Sequence, residues 1–255
     1  MNAPEATFRP ASAPHRVLLH VCCGPCSTAP LRTLRERSVS VAVHFANSNI
    51  APAEEYERRL EAARGYAEAL GLPFVESAYE PGAWARAVGA LPEEARTSAD
   101  GTTPPPERCR ACYRLRFRDA AAYAAEHGFD AVGTTLSASP YQYTDIIREE
   151  LERACAEAGV EAFFEDYSPL YPETVTASKE AGLYRQDYCG CLPSKAEADA
   201  GRAARAAERA ARKAERAEAR AQEEAQRAAK REARAAYAAA QARKRAVKDA
   251  LRGRS

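Results

Sequence analysis

The chain has 255 residues, and no run of about 18 apolar residues occurs in it, which excludes a transmembrane helix. Its 37 Lys/Arg and 36 Asp/Glu leave a formal net charge of +1, a value that by itself argues against a nucleic-acid partner. That sum is a cancellation: residues 195–255 hold 18 basic and 9 acidic side chains (net +9), residues 1–194 hold 19 and 27 (net −8), the pattern of an acidic body with a basic interaction tail.

Residues 1–15 lack an apolar signal core and read as a disordered lead-in rich in Pro and Ala; a cytoplasmic protein is expected. RVLLHV at 16–21 is short, apolar and β-branched, and predicts a buried first strand. CCGPCS at 22–27 follows, then a helix to about Arg37. SVSVAVHF at 38–45 predicts a second strand. Over 54–70, helical spacing puts Tyr56, Leu60, Ala63, Ala67 and Leu70 on one side, and Gly71 and Pro73 end the helix. PFVES at 73–77 is a third strand. TSADGTTPPP, within 92–106, is a loop by composition. RCRACYRLRFRDAAAYAAEHG is a helix closed by Gly128, FDAVGTTL at 129–136 a strand, YTDIIREELERACAEAG a helix, and EAFFEDY at 161–167 a last strand.

Strands and helices therefore alternate, which predicts an α/β fold, a doubly wound parallel-sheet sandwich, in one domain over 16–194. Ligands in such sheets bind beyond the carboxyl ends of the strands, where CCGPCS and GTTLSASPYQ (133–142) sit. In residues 195–255, 25 of 61 residues are Ala, and Arg, Glu, Lys and Gln supply most of the rest. These are strong helix formers without a seam of Leu or Ile to bury, so a long solvated helical extension is expected and a coiled coil is not.

Eight cysteines in a chain with no export signal point to metal binding or redox chemistry. Cys155 is alone in mid-helix and reads as a small buried hydrophobe. The other seven form CCxxC (Cys22, Cys23, Cys26), CxxC (Cys109, Cys112) and CxC (Cys189, Cys191). Spacing of this kind suits thiolate metal sites. Zinc would use four thiols and leave three unexplained, and a four-iron cluster also takes four. The CC pair with the CxxC would supply four, leaving the CxC to cycle between dithiol and disulfide. Spacing alone does not choose, and it leaves open whether Cys26 serves a second metal.

LLHVCCGPCS, NSNIAPAEEYERR, ERCRACYRLRF, GFDAVGTTLSASPYQ and YRQDYCGCLPS occur in that order, and together they resemble the QueH-type epoxyqueuosine reductase family over roughly residues 16–194. The resemblance implies a nucleotide α-hydrolase-like (Rossmann-like) fold. It implies reduction of the epoxide of epoxyqueuosine in tRNA to the cyclopentene of queuosine, the last step of queuosine biosynthesis. The implied cofactor is a [4Fe-4S] cluster without cobalamin, on Cys22, Cys23, Cys109 and Cys112, with Cys189 and Cys191 as the redox-active pair and a second iron left open. The implied partners are tRNA carrying epoxyqueuosine at the wobble position and an unidentified electron donor. One block expected as NPNIHP reads NSNIAP, so Ala51 stands where the family pattern has His.

Tyr113, Tyr141, Asp187 and Tyr188 are candidate proton donors, and His20 lies beside the first thiols. Arg108, Arg110, Arg114, Arg116 and Arg118 crowd around the CxxC, either to hold phosphates or as a solvated charged face. Thr134, Thr135, Ser137 and Ser139 are candidates to line a pocket. Two rival functions are an ATP-dependent tRNA thiolase on a similar fold and a zinc-stabilised RNA-binding module without catalysis. The thiolase would need a Gly/Ser-rich phosphate loop where CCGPCS stands.

Overall fold

The computed structural model describes residues 16–252, the side chains of Val247 and of residues 249–252 excepted; the lead-in expected over 1–15 lies outside the described residues. Chain order is β1 (Arg16–His20), α1 (Gly24–Glu36), β2 (Ser40–Phe45), α2 (Ala53–Ala69), β3 (Phe74–Glu76), α3 (Pro81–Gly89), α4 (Glu93–Arg96), α5 (Pro106–Glu126), β4 (Ala131–Thr134), α6 (Thr144–Ala158), β5 (Glu161–Phe163), α7 (Tyr171–Glu180) and α8 (Leu192–Arg252).

The sheet is wholly parallel, in the order β3-β2-β1-β4-β5. Neighbouring strand residues point to opposite faces. Leu18 accordingly joins Phe117, Ala121, Ile147 and Leu151 of α5 and α6, while Leu19 joins Leu31, Leu34, Leu60 and Ala63 of α1 and α2. Two apolar layers thus cover the sheet, as the expected α/β sandwich requires. The strand order reverses between β1 and β4, where His20 stands opposite Thr134. That pair of carboxyl ends is the switch point of the fold, the place where such sheets bind ligands.

α3 and α7 are helices that periodicity did not predict. α3 buries only Val88, and α7 buries only Thr174 and Ser178, so neither carries an apolar stripe. β5 is three residues, shorter than the seven expected. Its partner β4 is four residues long, and pairing ends at Gly133↔Phe163. Among the described residues no helix is long and apolar enough to cross a membrane. The chain divides into two compact units, Met1–Ala200 and Gly201–Ser255. The first closes six residues beyond the boundary read from charge, because Glu197 on α8 is buried against Arg108 of α5.

Candidate metal and redox centre

β1 stops at His20, and Cys22 and Cys23 follow before α1 begins. Cys23 is fully extended (φ −173°, ψ 162°), and Pro25 lies in the first turn, where a missing N–H leaves no helical bond unmade. Gly24 allows α1 to start directly against α2: a Cβ there would stand 2.9 Å from the Ala62 carbonyl oxygen. One turn on, Cys26 faces back. The sulfurs of Cys22, Cys23 and Cys26 all lie within 4.8 Å of one another, with Cys22 and Cys23 3.7 Å apart. Two thiolates on one tetrahedral ion at about 2.3 Å each would stand about 3.8 Å apart. Gln186 donates from Nε2 to Cys23 Sγ at 2.8 Å, and Thr135 Oγ1 lies 4.0 Å from Cys22 Sγ.

Hydrogen bonds from the Cys23 and Cys26 thiols hold Cys22 well below its ordinary pKa, with Arg116 adding to the effect. Burial pushes Cys23 up, and the bonds to Cys22 and Cys23 push Cys26 up. Three thiolates at this spot demand a cation, which is the donor chemistry of a soft metal site.

A second group stands on α5 and in the loop before α8. Burial is the main cause that raises Cys109, Cys112 and Cys191, the last to about 12, and the charge of Cys189 adds to all three. Cys109, Cys112, Cys189 and Cys191 are thus mutual electrostatic neighbours. Cys109 and Cys112 stand outside the 4.8 Å group of Cys22, Cys23 and Cys26. Trp84 Nε1 and Arg116 Nε are buried without a hydrogen-bond partner, and both side chains work against the rise that burial imposes on the Cys112 thiol. Unpaired N–H groups near buried sulfur favour thiolate over thiol, as metal-bound cysteines require. The residues present therefore fit a thiolate-bound metal centre. Cys155 is 1 % exposed within the α6 core, a packing residue.

The Cys189–Gly190–Cys191 loop is held from several sides. Arg59 on α2, 1 % exposed, donates to the carbonyls of Cys189 (2.7 Å) and Tyr188 (3.1 Å), and its Nε bonds Glu55 at 2.7 Å. Ala51 donates its N–H to Gly190 O at 3.0 Å and accepts from Tyr188 Oη at 2.6 Å. Position 51 thus serves the loop through its backbone. Gly190 has φ +148°, and a Cβ would meet Asn49 Nδ2 at 2.8 Å, so only glycine lets the loop sit this close. Gln142 lies with Nε2 3.5 Å from Cys189 Sγ and accepts from Tyr113 Oη at 2.6 Å.

Several candidate residues have structural duties. Tyr113 and Tyr188 are committed donors, and burial raises both phenols, Tyr188 to about 12, which makes them poor acids at neutral pH. His20 is fully buried between Thr134 Oγ1 (3.0 Å) and Ala46 O (3.3 Å), with burial holding it neutral. Ser137 donates to Glu165 O, which leaves Thr135 as the hydroxyl of that set facing a thiol. Four of the five α5 arginines are tied to buried partners, Arg108 to Glu197, Arg110 and Arg114 to Glu150 and Arg116 to Asn47, while Arg118 makes an exposed pair with Glu157. The phosphate-holding reading is therefore not supported for those four. Periodicity contained a signal for Arg59, since it falls between Tyr56, Leu60 and Ala63 on the inward side of α2. Gln142 and Gln186 gave no such signal.

A doubly wound parallel sheet with two groups of thiols at its switch point defines a thiol-dependent metallo- or redox enzyme of the α/β class. Comparison with known proteins makes this specific. A family model described as "Epoxyqueuosine reductase QueH" matches residues 17–197, and the chain belongs to that family. It is 32% identical over 183 residues to the epoxyqueuosine reductase QueH of Dehalococcoides mccartyi, covering 71% of this chain and 93% of that one. It is 31% identical over 185 residues to the protein of that name in Streptococcus pyogenes serotype M1, covering 69% of each. Among solved structures, a predicted subunit of tRNA methyltransferase from Methanocaldococcus jannaschii superposes with a TM-score of 0.44 at 11% identity, covering 65% of this chain and 74% of that one.

Proposed function

We propose that the protein reduces the epoxide of epoxyqueuosine in tRNA to the alkene of queuosine, with Cys189 and Cys191 as the immediate source of electrons. The observation that carries this reading is the Cys189–Cys191 loop, clamped by Arg59 and Ala51 beside further thiols at the switch point, in a chain of the reductase family. The step balances: the epoxide loses its oxygen as water, taking two electrons and two protons, and two thiols give up both as they join in a disulfide. An external two-electron reductant must then restore the dithiol.

Cys22, Cys23, Cys109 and Cys112 are the proposed ligands of a [4Fe-4S] cluster, and Cys26 is available to a second iron. What supports this is the soft, buried donor set, the Gln186 N–H donated to Cys23, and the unpaired buried N–H groups of Trp84 and Arg116. Such a cluster, when bound, supplies one-electron transfer and a Lewis-acidic iron. The chain's own residues do the rest. Arg59 fixes the main chain of the dithiol, Gln142 sets the direction of the Cys189 sulfur, and Thr135 presents a hydroxyl beside Cys22. The rival thiolase reading would need a phosphate loop at the first turn, where this chain places two cysteines.

Anaerobic purification with iron, sulfide and zinc analysis tests the proposal. Brown protein containing iron and sulfide is expected, and zinc alone would defeat the cluster. Cys189→Ser is expected to keep the colour and lose epoxyqueuosine turnover; loss of the colour would mean that the CxC holds the metal.

A further inference from the structure

We infer that one face of α8 is a docking surface for the phosphate backbone of RNA, the substrate tRNA, which rests on the function proposed above. The family model ends at residue 197, so the unit Gly201–Ser255 lies beyond what the family defines. Over residues 205–246 and at Lys248 its side chains are exposed, Gln241 partly so.

Net charge is not the argument; its placement is. At 3.6 residues per turn, successive residues are about 100° apart around the helix. Arg205, Arg209, Arg212, Arg216, Arg220 and Arg227 then fall on one line, and the line continues through Arg234 to Lys248. Of the 14 basic residues between 205 and 248, 12 lie within an arc of about 100°; Arg243 and Lys244 are the exceptions. Of the six glutamates in that stretch only Glu223 lies inside the arc, paired with Arg227 at 2.5 Å. From Arg205 to Lys248 the stripe is about 65 Å long.

A helix required only to be long and solvated would interleave its charges, since like charges three or four residues apart destabilise it by about 0.2–0.5 kcal/mol a pair. This one places arginines next to arginines at those spacings along its length. The arrangement costs helix stability and is offset when a polyanion lies along the stripe. Thirteen of the 17 basic residues after Ala200 are arginine, the side chain whose planar fork grips phosphate. The remaining faces are mostly alanine, and among the described side chains beyond Ala200 Tyr237 is the one large exposed apolar group, too little to insert into a lipid surface. The α5 arginines beside the thiols are taken up by carboxylates and Asn47, so the stripe is also the larger array of exposed cations.

Two full-chain variants test this. In one, Arg209, Arg216, Arg220 and Arg227 are each replaced by Gln. In the other, the same four become Ala while Ala211, Ala214, Ala221 and Ala225 become Arg, which keeps composition and net charge but moves the charges to the opposite face. Helicity is checked by circular dichroism, and binding of an unmodified tRNA transcript is measured against salt. Both variants are expected to bind about tenfold or more weakly near 0.15 M salt, with the log–log salt slope reduced by about 2 to 4. Wild-type binding by the rearranged variant would overturn the stripe in favour of net charge, and unchanged binding by both would overturn the docking surface. Phosphatidylserine vesicles are the second probe; salt-resistant binding that both variants lose, with tRNA binding intact, would assign the face to a membrane instead. On tRNA carrying the epoxide, both variants are expected to raise KM and leave kcat unchanged. A wild-type protein that binds tRNA but never reduces the epoxide would defeat the proposed activity and leave the stripe standing.

Discussion

The Arg59 guanidinium donates to the carbonyl oxygen of Cys189 at 2.7 Å, and its Nε holds Glu55, so one buried cation ties the dithiol loop to α2. The same carboxylate accepts from Tyr184 Oη at 2.6 Å, which satisfies its second oxygen. A buried pair of this kind is costly to break from one side, because the remaining charge has no partner.

Replacing Arg59 with Met is therefore expected to lower unfolding free energy by about 3–5 kcal/mol. Adding Glu55→Gln removes the stranded charge and recovers part of that loss. Turnover stays reduced at least tenfold in the double variant, since the loop carbonyls have lost their donor. Urea unfolding and epoxide turnover separate the two effects, and a stable double variant with full activity would remove Arg59 from the positioning of the loop.

Gln142 stands between Tyr113 and Cys189 and can orient the sulfur only while its own amide is fixed. Gln142→Leu is expected to change the rate at which Cys189 is alkylated in the reduced protein and to cut kcat about tenfold. Tyr113→Phe, which frees the amide without removing it, gives a smaller change in the same direction. Equal alkylation rates across the three proteins would make Gln142 a packing residue.

Glu197 forms a two-pronged pair with Arg108, at 2.8 and 2.6 Å, with both side chains almost wholly buried. Glu197→Ala leaves the guanidinium buried and is expected to cost about 3 kcal/mol in urea unfolding. Glu208→Ala, on an exposed turn of α8, is the control and stays within about 0.5 kcal/mol.

His44 supplies acid sensitivity. Burial lowers its pKa to about 4, while the unfolded chain has the ordinary value of about 6.5. Between those values the unfolded state binds the extra proton, so stability rises with pH and is lost as pH falls from about 6.5 towards 4. At pH 5 the loss from this residue is about 2 kcal/mol relative to pH 7. His44→Gln keeps a donor near Ser77 Oγ, the present partner at 2.8 Å, and has no such titration. Unfolding measured at both pH values is expected to show a smaller drop for the variant.

The alternation of elements was legible because each central strand is a short apolar run buried on both faces, as in VLLH, and each covering helix carries an apolar stripe. α3 and α7 were not legible, because they bury little and their order comes from tertiary packing. In the site, the three cysteine clusters were visible as spacing. The closeness of Cys109 and Cys112 to Cys189 and Cys191 was not, because it depends on how α5 packs beside the loop before α8. Nor could spacing decide whether the α5 arginines face phosphate or protein, since Glu150 and Glu197 come from distant parts of the chain.

By itself the sequence determined the central strands and the helices that cover them, that seven thiols are grouped, and that the extension is basic and helical. These are local or periodic properties, set by neighbours within a few turns. Only the tertiary structure decided which thiols meet, that Arg59 and Ala51 hold the Cys189–Cys191 loop, and that the first unit closes at Ala200 through Glu197. The last two join residues 89 to 139 positions apart. They exist because a parallel sheet brings the ends of its strands together at one edge, where buried charges must find partners.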